Sequence, residues 1–314
     1  MLYRMWAKAQ VEAWSPVMQG QVLGEGTMGF RWECGTRNVA QLLTDAVAWQ
    51  KAQGRSVWMV SFDIAKCYDT IPWWAVFGVM EASGMRREVI GAFRDFYARL
   101  NRRFRYGAVE GEVWQATNGL AQGCPASPDL LNLLFEAFHG WARSTGLGVE
   151  FGPRKVPSVS FADDIGLLET RWRETMRLVT GYLGFGRTIH LKVQVDKTKV
   201  CSTDEKAPST VDVGGKQVGV ERTFRMVGVE IGVQCPATTK RHLDGRMLKA
   251  ERSIERLRGL AVPLAVVGRI WRSQILPQAL YGCEVHDVRS RMVHPNLHHL
   301  ERPPASRRPL SCSV

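Results

Sequence analysis

Val57-Trp58-Met59-Val60-Ser61-Phe62-Asp63 is a short apolar run, rich in β-branched and aromatic residues, that ends on a carboxylate. That composition over so few positions predicts a buried strand. Later in the chain, Val159-Ser160-Phe161-Ala162 leads into Asp163-Asp164, and Val156 to Glu169 reads as a hairpin with the two acids near its bend. Carboxylates at the end of an apolar strand are costly to desolvate unless something cationic compensates them. Strand parity puts Phe161 and Asp163 on one face, and Ala162 and Asp164 on the other unless the bend rotates the latter. If the two strands are neighbours, Asp63 and Asp163 converge. Oxygen ligands from two strands, with no His or Cys beside them, suit a hard cation such as Mg²⁺. Mg²⁺ takes substrate phosphates as further ligands, which points to phosphoryl transfer. Two such ions about 3.5–4 Å apart would activate an attacking hydroxyl and stabilise a leaving oxygen. By itself, an Asp-Asp at a bend is more often plain turn chemistry. Asp63 or Asp69 could equally cap the segment that follows it.

Outward from these strands, helices alternate with hairpins. Thr36 to Gln53 reads as a helix with Thr36 as its cap, a Val39, Leu42, Leu43, Ala46, Val47 stripe and Gly54 as its stop. Pro72 opens a second helix that Gly84 closes, and a third runs from Arg86 to about Leu100. Arg103 to Thr117 is expected to be a hairpin turning at Glu110-Gly111. Ser127-Pro128 begins a strongly apolar helix to about Arg143. Thr170 to Gly184 reads as helical, Lys192 to Ser202 and Phe224 to Val233 as extended. From Arg241 the pattern is helical, interrupted at Pro263 and Pro277. The order predicts an α+β fold: an antiparallel sheet with helices on one face. From about Asp287 the character changes; His294, His298, His299, Pro303-Pro304 and Arg307-Arg308 suggest a disordered tail.

Composition narrows the classes. The chain has 314 residues with 45% hydrophobic and 23% charged, which is globular and large enough for about two folding units. No apolar run is long enough to span a bilayer, and Met1–Lys8 lacks the apolar stretch of a signal peptide. The seven cysteines are scattered with no C-x-x-C, so neither a disulfide framework nor a structural zinc site is expected, and a reducing intracellular setting is the default. With 42 Lys+Arg against 30 Asp+Glu, the net charge of +12 favours an anionic partner such as nucleic acid, though a solvated basic surface or an anionic membrane fits the charge as well.

Read as an ordered set, the segments resemble the reverse transcriptase family, on its non-LTR retrotransposon and group II intron side. Phe62-Asp63-Ile64-Ala65-Lys66-Cys67-Tyr68-Asp69-Thr70-Ile71 is similar to the first palm motif. Asn118-Gly119-Leu120-Ala121-Gln122-Gly123-Cys124-Pro125-Ala126-Ser127-Pro128 is similar to the G-L-x-Q-G-x-P-x-S-P segment, the most specific of the matches. Phe161-Ala162-Asp163-Asp164 takes the place of the Y-x-D-D box, Val195–Lys199 that of N-x-x-K-T, and Phe224–Val229 that of the F-x-x-L-G primer grip. Gly29-Phe30-Arg31 looks like the end of the fingers, and the resemblance covers roughly Gly29 to Ile231. Phe161 stands where the box usually has Tyr, and Val227 where the grip usually has Leu.

The resemblance implies partial fingers (1–56), a polymerase palm (57–235) and a helical thumb-like region (236–286) ahead of the 287–314 tail. It implies Asp63 and Asp163 as the principal metal ligands with Asp164 secondary, and two Mg²⁺ ions as cofactors, with Mn²⁺ as a substitute. Tyr68 would lie under the incoming sugar and select deoxynucleotides, and Gln122 and Gly123 would approach nucleotide and template. Lys197 would give a proton or positive charge to the leaving pyrophosphate. Phe224, Val227 and Gly228 would grip the primer. Each has a plainer reading: a core aromatic, a loop before a helix, a solvent-facing lysine, an ordinary strand. The implied partners are an RNA template, a DNA primer and dNTPs, with no membrane. Basic residues of the thumb-like region (Lys240, Arg241, Arg246, Lys249, Arg252, Arg256, Arg258) would track a duplex backbone, partly offset by Glu251 and Glu255.

Only 28 residues precede Gly29, fewer than the family's fingers region has, with Arg31 and Arg37 as partial substitutes for its basic grip. The expectation is therefore a fragment of an element-encoded polyprotein, active or inactive depending on its fingers. Two alternatives stay open: a catalytically dead, basic nucleic-acid-binding remnant, and another palm-type nucleotidyltransferase such as an RNA-dependent RNA polymerase. Localisation stays open too, the nucleus following only for an element of a nucleated cell.

Overall fold

A computed structural model describes residues 2–232, 236–258 and 263–283. The tail from Asp287 lies outside the described residues, as does Val233 of the expected Phe224–Val233 run. The chain divides into two compact units, Met1–Val227 and Gly228–Val314.

The first unit opens with α1 (Leu2–Val17), α2 (Thr36–Ala52), β1 (Trp58–Phe62), the one-turn α3 (Cys67–Thr70), α4 (Trp73–Ala82) and α5 (Arg87–Ala98). Four two-residue strands follow: β2 (Asn101–Arg102), β3 (Arg105–Tyr106), β4 (Val109–Glu110) and β5 (Trp114–Gln115). Then come α6 (Ser127–Ser144), β6 (Val149–Phe151), β7 (Arg154–Val156), β8 (Ser158–Phe161), β9 (Asp164–Glu169) and α7 (Trp172–Thr188). β10 (Lys199–Ser202), β11 (Thr210–Val213), β12 (Lys216–Glu221) and β13 (Thr223–Met226) complete it.

β1 sits inside a six-stranded sheet of order β11-β12-β10-β1-β9-β8. All of its pairings are antiparallel except β10 with β12, which is parallel. The alternation along β1 decides how it is buried. Trp58, Val60 and Phe62 join Ile165, Leu167 and Val200 in one core with Leu178, Val179 and Tyr182 of α7 and Leu130, Leu134 and Phe138 of α6. The opposite face is closed as well: Met59, Leu168 and Cys201 are no more than 1% exposed. Residues of α1 join the main core through Ala7, with Trp6 and Trp14 packed against it, so the N-terminal helix lies on this unit's core along one face.

Several expectations shift in detail. Gly35, not Thr36, caps α2, and the Gly35 N–H donates to Asn38 Oδ1 at 2.9 Å. The Arg103–Thr117 hairpin turns at Gly107-Ala108, because Tyr106 pairs with Val109 and Gly107 supplies the positive φ that a two-residue turn requires. Within Lys192–Ser202, only Lys199–Ser202 is a strand; Val195–Lys197 is a 3₁₀ turn. The Phe224 run breaks at Val227 and Gly228, both at positive φ. A hairpin that the sequence reading passed over joins β11 to β12 through Gly214-Gly215.

The second unit holds β14 (Val229–Gly232), α8 (Pro236–Arg258), α9 (Leu264–Ile270) and α10 (Leu276–Leu280). Its core sets Met247, Ala250 and Ile254 of α8 with Trp271, Ile275 and Ala279. Pro263 precedes α9 as expected, but Pro277 does not stop the run: Trp271–Ile275 widens into a π-turn and the proline takes a position in the first turn of α10. Of the basic stripe on α8, Arg246 turns inward, donating to the Gly228 carbonyl and standing 4.5 Å from the Tyr281 ring. Arg241 pairs with Glu230.

Candidate active site

The register of the central strands builds the site. In the β1–β9 ladder Phe62 lies opposite Ile165, so Asp63, one residue on, runs alongside Asp164. Phe161 pairs with Asp164 across β8 and β9, which leaves Ala162 and Asp163 as the turn between them. Ala162 takes φ +55°, a left-handed conformation unusual for a residue with a Cβ. Partial desolvation, then the charges of Asp163 and Asp63, hold the Asp164 carboxyl above the usual carboxylate range. The same two charges, after burial, push the Cys67 thiol far up, so it stays protonated and inert. All three aspartates therefore act on one end of the sheet.

Lys197 is carried there by the segment after α7. Ala65 N–H donates to Lys192 O at 3.0 Å and Gln194 N–H to Asp63 O at 2.9 Å, zipping this segment against the chain beyond β1. Its Nζ then donates to Asp63 Oδ2 at 2.8 Å. An open cleft of about 390 Å³ lies beside this pair, lined by Asp63, Asp164, Lys197, Lys199 and Arg225 among others.

Tyr68 stands in α3 with its hydroxyl pushed up to about 12, first by burial, then by Cys67 and Asp163. Its backbone is stitched to the Asn118–Leu120 loop: Leu120 N–H donates to Tyr68 O at 2.6 Å and Gly119 N–H to Ile71 O at 2.7 Å. Gly119 has φ +87°, and a Cβ there would lie 2.7 Å from Asp69 O. Only glycine permits this contact. Gln122 and Gly123 follow in an exposed turn just before α6, Gly123 at φ +80° with open space where a Cβ would be. Ser127 donates from Oγ to Ala121 O at 2.8 Å, fixing that turn to the helix start. Phe224 lies in β13, Val227 ends the first unit and Gly228 begins the second. Arg31 does not face this cleft freely: its guanidinium donates to the carbonyls of Gly24 at 2.7 Å and Gln19 at 2.9 Å.

Sequence reasoning missed the groups that hold the aspartate turn from behind. Met28 N–H donates to Ser160 O at 3.0 Å and Ser160 N–H to Gly26 O at 2.7 Å, so the N-terminal segment lies along β8. A Cβ on Gly29 would sit 2.4 Å from Ala162 N, and buried Asn132 of α6 donates from Nδ2 to Gly29 O at 2.6 Å. Beneath β8, His139 lies fully buried between the hydroxyls of Ser158 at 2.7 Å and Ser160 at 2.8 Å. Burial lowers its pKa to about 4, a little offset by Glu136, so the ring is neutral. Thr27 donates to Glu136 at 2.6 Å, and Arg143 pairs with the same carboxylate. The Gly24-x-Gly26-x-x-Gly29 spacing was the one visible sign of a close backbone approach; nothing local marks Asn132 or His139.

The donor chemistry fits a hard divalent cation. Asp63, Asp163 and Asp164 offer oxygen only, and their mutual repulsion, seen in the raised Asp164, is what such a cation would relieve. Among the described residues, no group of three or more His, Cys, Asp or Glu side chains is placed so that it could hold a metal ion as it stands.

The family model for reverse transcriptase (RNA-dependent DNA polymerase) matches residues 1–231. The chain belongs to the reverse transcriptase family. Curated relatives lie on the non-LTR retrotransposon side of it. A retrovirus-related Pol polyprotein from type-1 retrotransposable element R2 of Popillia japonica is 25% identical over 312 residues, 93% of this chain and 41% of the relative. A second R2 Pol polyprotein from the same organism is 28% identical over 135 residues, 41% of this chain and 22% of the relative. This reverse transcriptase chain thus spans less than half the length of the curated relatives it matches. Among solved structures, apo telomerase from Candida tropicalis truncated from its C-terminal domain superposes with a TM-score of 0.51 at 12% identity, covering 69% of this chain and 44% of that one. Apo telomerase from the same organism gives 0.50 at 10% identity, covering 69% and 39%. At such identities the likeness concerns fold: a mixed α+β reverse transcriptase architecture.

Proposed function

We propose that this chain extends a DNA primer on an RNA template, joining deoxynucleotides to the primer 3′-hydroxyl at Asp63, Asp163 and Asp164. RNA-directed DNA polymerase chemistry is the activity of its family. The observation that carries the residue assignment is the β1–β9–β8 register, which lines Asp63 up with Asp164 and leaves Asp163 in the adjoining turn. Asp63, Asp163 and Asp164 would hold Mg²⁺ as two ions, with Mn²⁺ as a substitute. Bound there, Mg²⁺ supplies charge neutralisation for the triphosphate and lowers the pKa of the attacking hydroxyl. Lys197, already at Asp63, adds positive charge for the departing pyrophosphate. Tyr68, rigidly placed by the Gly119 loop, offers a flat wall for the incoming sugar that leaves little room for a 2′-hydroxyl. Gln122 and Gly123, in an exposed turn with an open backbone, approach nucleotide and template. Phe224, in β13, and Val227 and Gly228, in the turn where that strand ends, would grip the primer.

Primer extension on an RNA template with dNTPs and Mg²⁺ tests this. Asp163→Asn should reduce incorporation by about 10²–10³-fold or more, as loss of an electrostatic contact to the reacting phosphate does. Wild-type extension that Asp163→Asn leaves intact would overturn the assignment. Binding of nucleic acid with no Mg²⁺-dependent incorporation would favour the remnant reading. NTP incorporation matching that of dNTPs would favour an RNA polymerase.

A further inference from the structure

We infer that the hairpin from Asn101 to Gln115 is a stacking platform for single-stranded RNA, the unpaired part of the template. This rests on the proposed function for the identity of the strand, but not for the binding chemistry. The hairpin leaves α5 and returns to the Asn118 loop, with β2 paired to β5 and β3 to β4. Its side chains are oddly apolar for a projection. Phe104 is 77% exposed, Tyr106 90% and Trp114 42%. Such rings lose by facing water, and a folded protein seldom gathers three on one short ribbon without a use.

The neighbours of these rings say what kind of partner fits. Phe104 lies 6.3 Å from Trp114, and the Arg102 guanidinium stands 5.7 Å from the centre of the same indole. Arg103 and Arg105 flank Phe104 in sequence; Arg103 is paired with Glu110 of the same hairpin, whereas Arg105 donates to the Gly107 carbonyl at 3.3 Å, which leaves its charge uncompensated by that contact. Aromatic faces interleaved with guanidinium groups recognise bases and phosphates together, whereas an apolar protein groove would not call for the arginines. Bases must be unpaired to offer their faces, so the ligand is a single strand and not a duplex.

Position supports the template as occupant. Arg102 also contacts Asp69 at 3.4 Å, next to Tyr68. Ala116 N–H donates to Leu100 O at 2.9 Å at the hairpin root, two residues before the Asn118–Gly119 loop that holds Tyr68. A strand leaving the Tyr68 and Gln122 region would pass along this ribbon.

The test is equilibrium binding of the full chain to a fluorescent 12-nucleotide oligouridylate in EDTA, where no polymerisation occurs, with the matching deoxy-oligomer and a blunt duplex as further arms. The double variant Phe104→Ala, Tyr106→Ala should weaken oligouridylate binding about tenfold or more, as loss of base stacking does. Its duplex binding should fall by far less. Phe104→Tyr with Tyr106→Phe keeps the rings and should restore affinity, which excludes a folding defect. Unchanged RNA affinity in the alanine variant would overturn the inference and turn attention to a protein partner. An equal loss on the duplex, or a loss confined to the deoxy-oligomer, would overturn it too. Because no catalysis is involved, failure here is separable from failure of the Asp163→Asn test.

Discussion

His139 is a side chain whose environment makes a sign-definite prediction. Its ring is neutral in the fold, with a pKa near about 4, against an unfolded value near 6.5. Between those values the unfolded chain takes up a proton that the native one refuses, so stability is fully present above pH 6.5 and falls as pH drops toward 4, by about 3 kcal/mol in all. Urea melts at pH 7, 5.5 and 4.5 should show the wild type losing more stability than His139→Gln, whose amide does not titrate. Parallel losses in the two proteins would contradict the neutral-ring assignment. The aspartates differ in being legible from sequence: Asp63 follows one apolar strand and Asp163-Asp164 sit at the bend after another, so pairing those strands brings them to one end of the sheet. His139 is not legible, since a buried histidine on an apolar helix face looks like any other until Ser158 and Ser160 arrive from another element.

At the scale of elements, the N-terminal segment, α6 and the β8–β9 hairpin form one working assembly. Gly29 is its point of closest backbone approach, because the Ala162 amide occupies the place of its missing Cβ. Gly29→Ala should lower stability by about 1–3 kcal/mol, the range for overpacking, and should cut primer extension more than nucleic-acid binding, since the displaced turn carries Asp163. A melt and an extension assay on the same preparation check it; extension at wild-type level would mean the turn does not depend on Gly29. Helix and strand positions are readable in sequence because composition and periodicity are local, as with Trp58–Phe62 of β1 and Ser127–Ser144 of α6. The true hairpin turn was misplaced because Glu110-Gly111 and Gly107-Ala108 offer similar local chemistry, and strand register chose between them. The contact of Asn132 with Gly29 joins residues 103 positions apart, a separation at which sequence pattern is silent.

At the scale of the molecule, the +12 charge is the dominant fact. Binding to nucleic acid should weaken steeply with salt: if six to ten phosphates are contacted, affinity falls by about 10³–10⁵ between 50 and 200 mM. Filter binding across that range measures it, and a flat response would mean that phosphate contacts contribute little. Each compact unit has its own apolar centre, one around Phe62, Tyr182 and Phe138 and the other around Met247, Trp271 and Ile275. A fragment of residues 1–227 should therefore melt cooperatively by calorimetry; a gradual, featureless transition would show that its interior is incomplete.

The Gly26–Met28 segment has one more effect, on solubility. By bonding to Ser160 it covers the outer side of β8, the end strand of a sheet that otherwise has free backbone donors and acceptors to offer. A chain begun after Met28 would bare that rim and should assemble edge to edge with its own copies, clouding as concentration rises even while every residue of the aspartate cleft is retained.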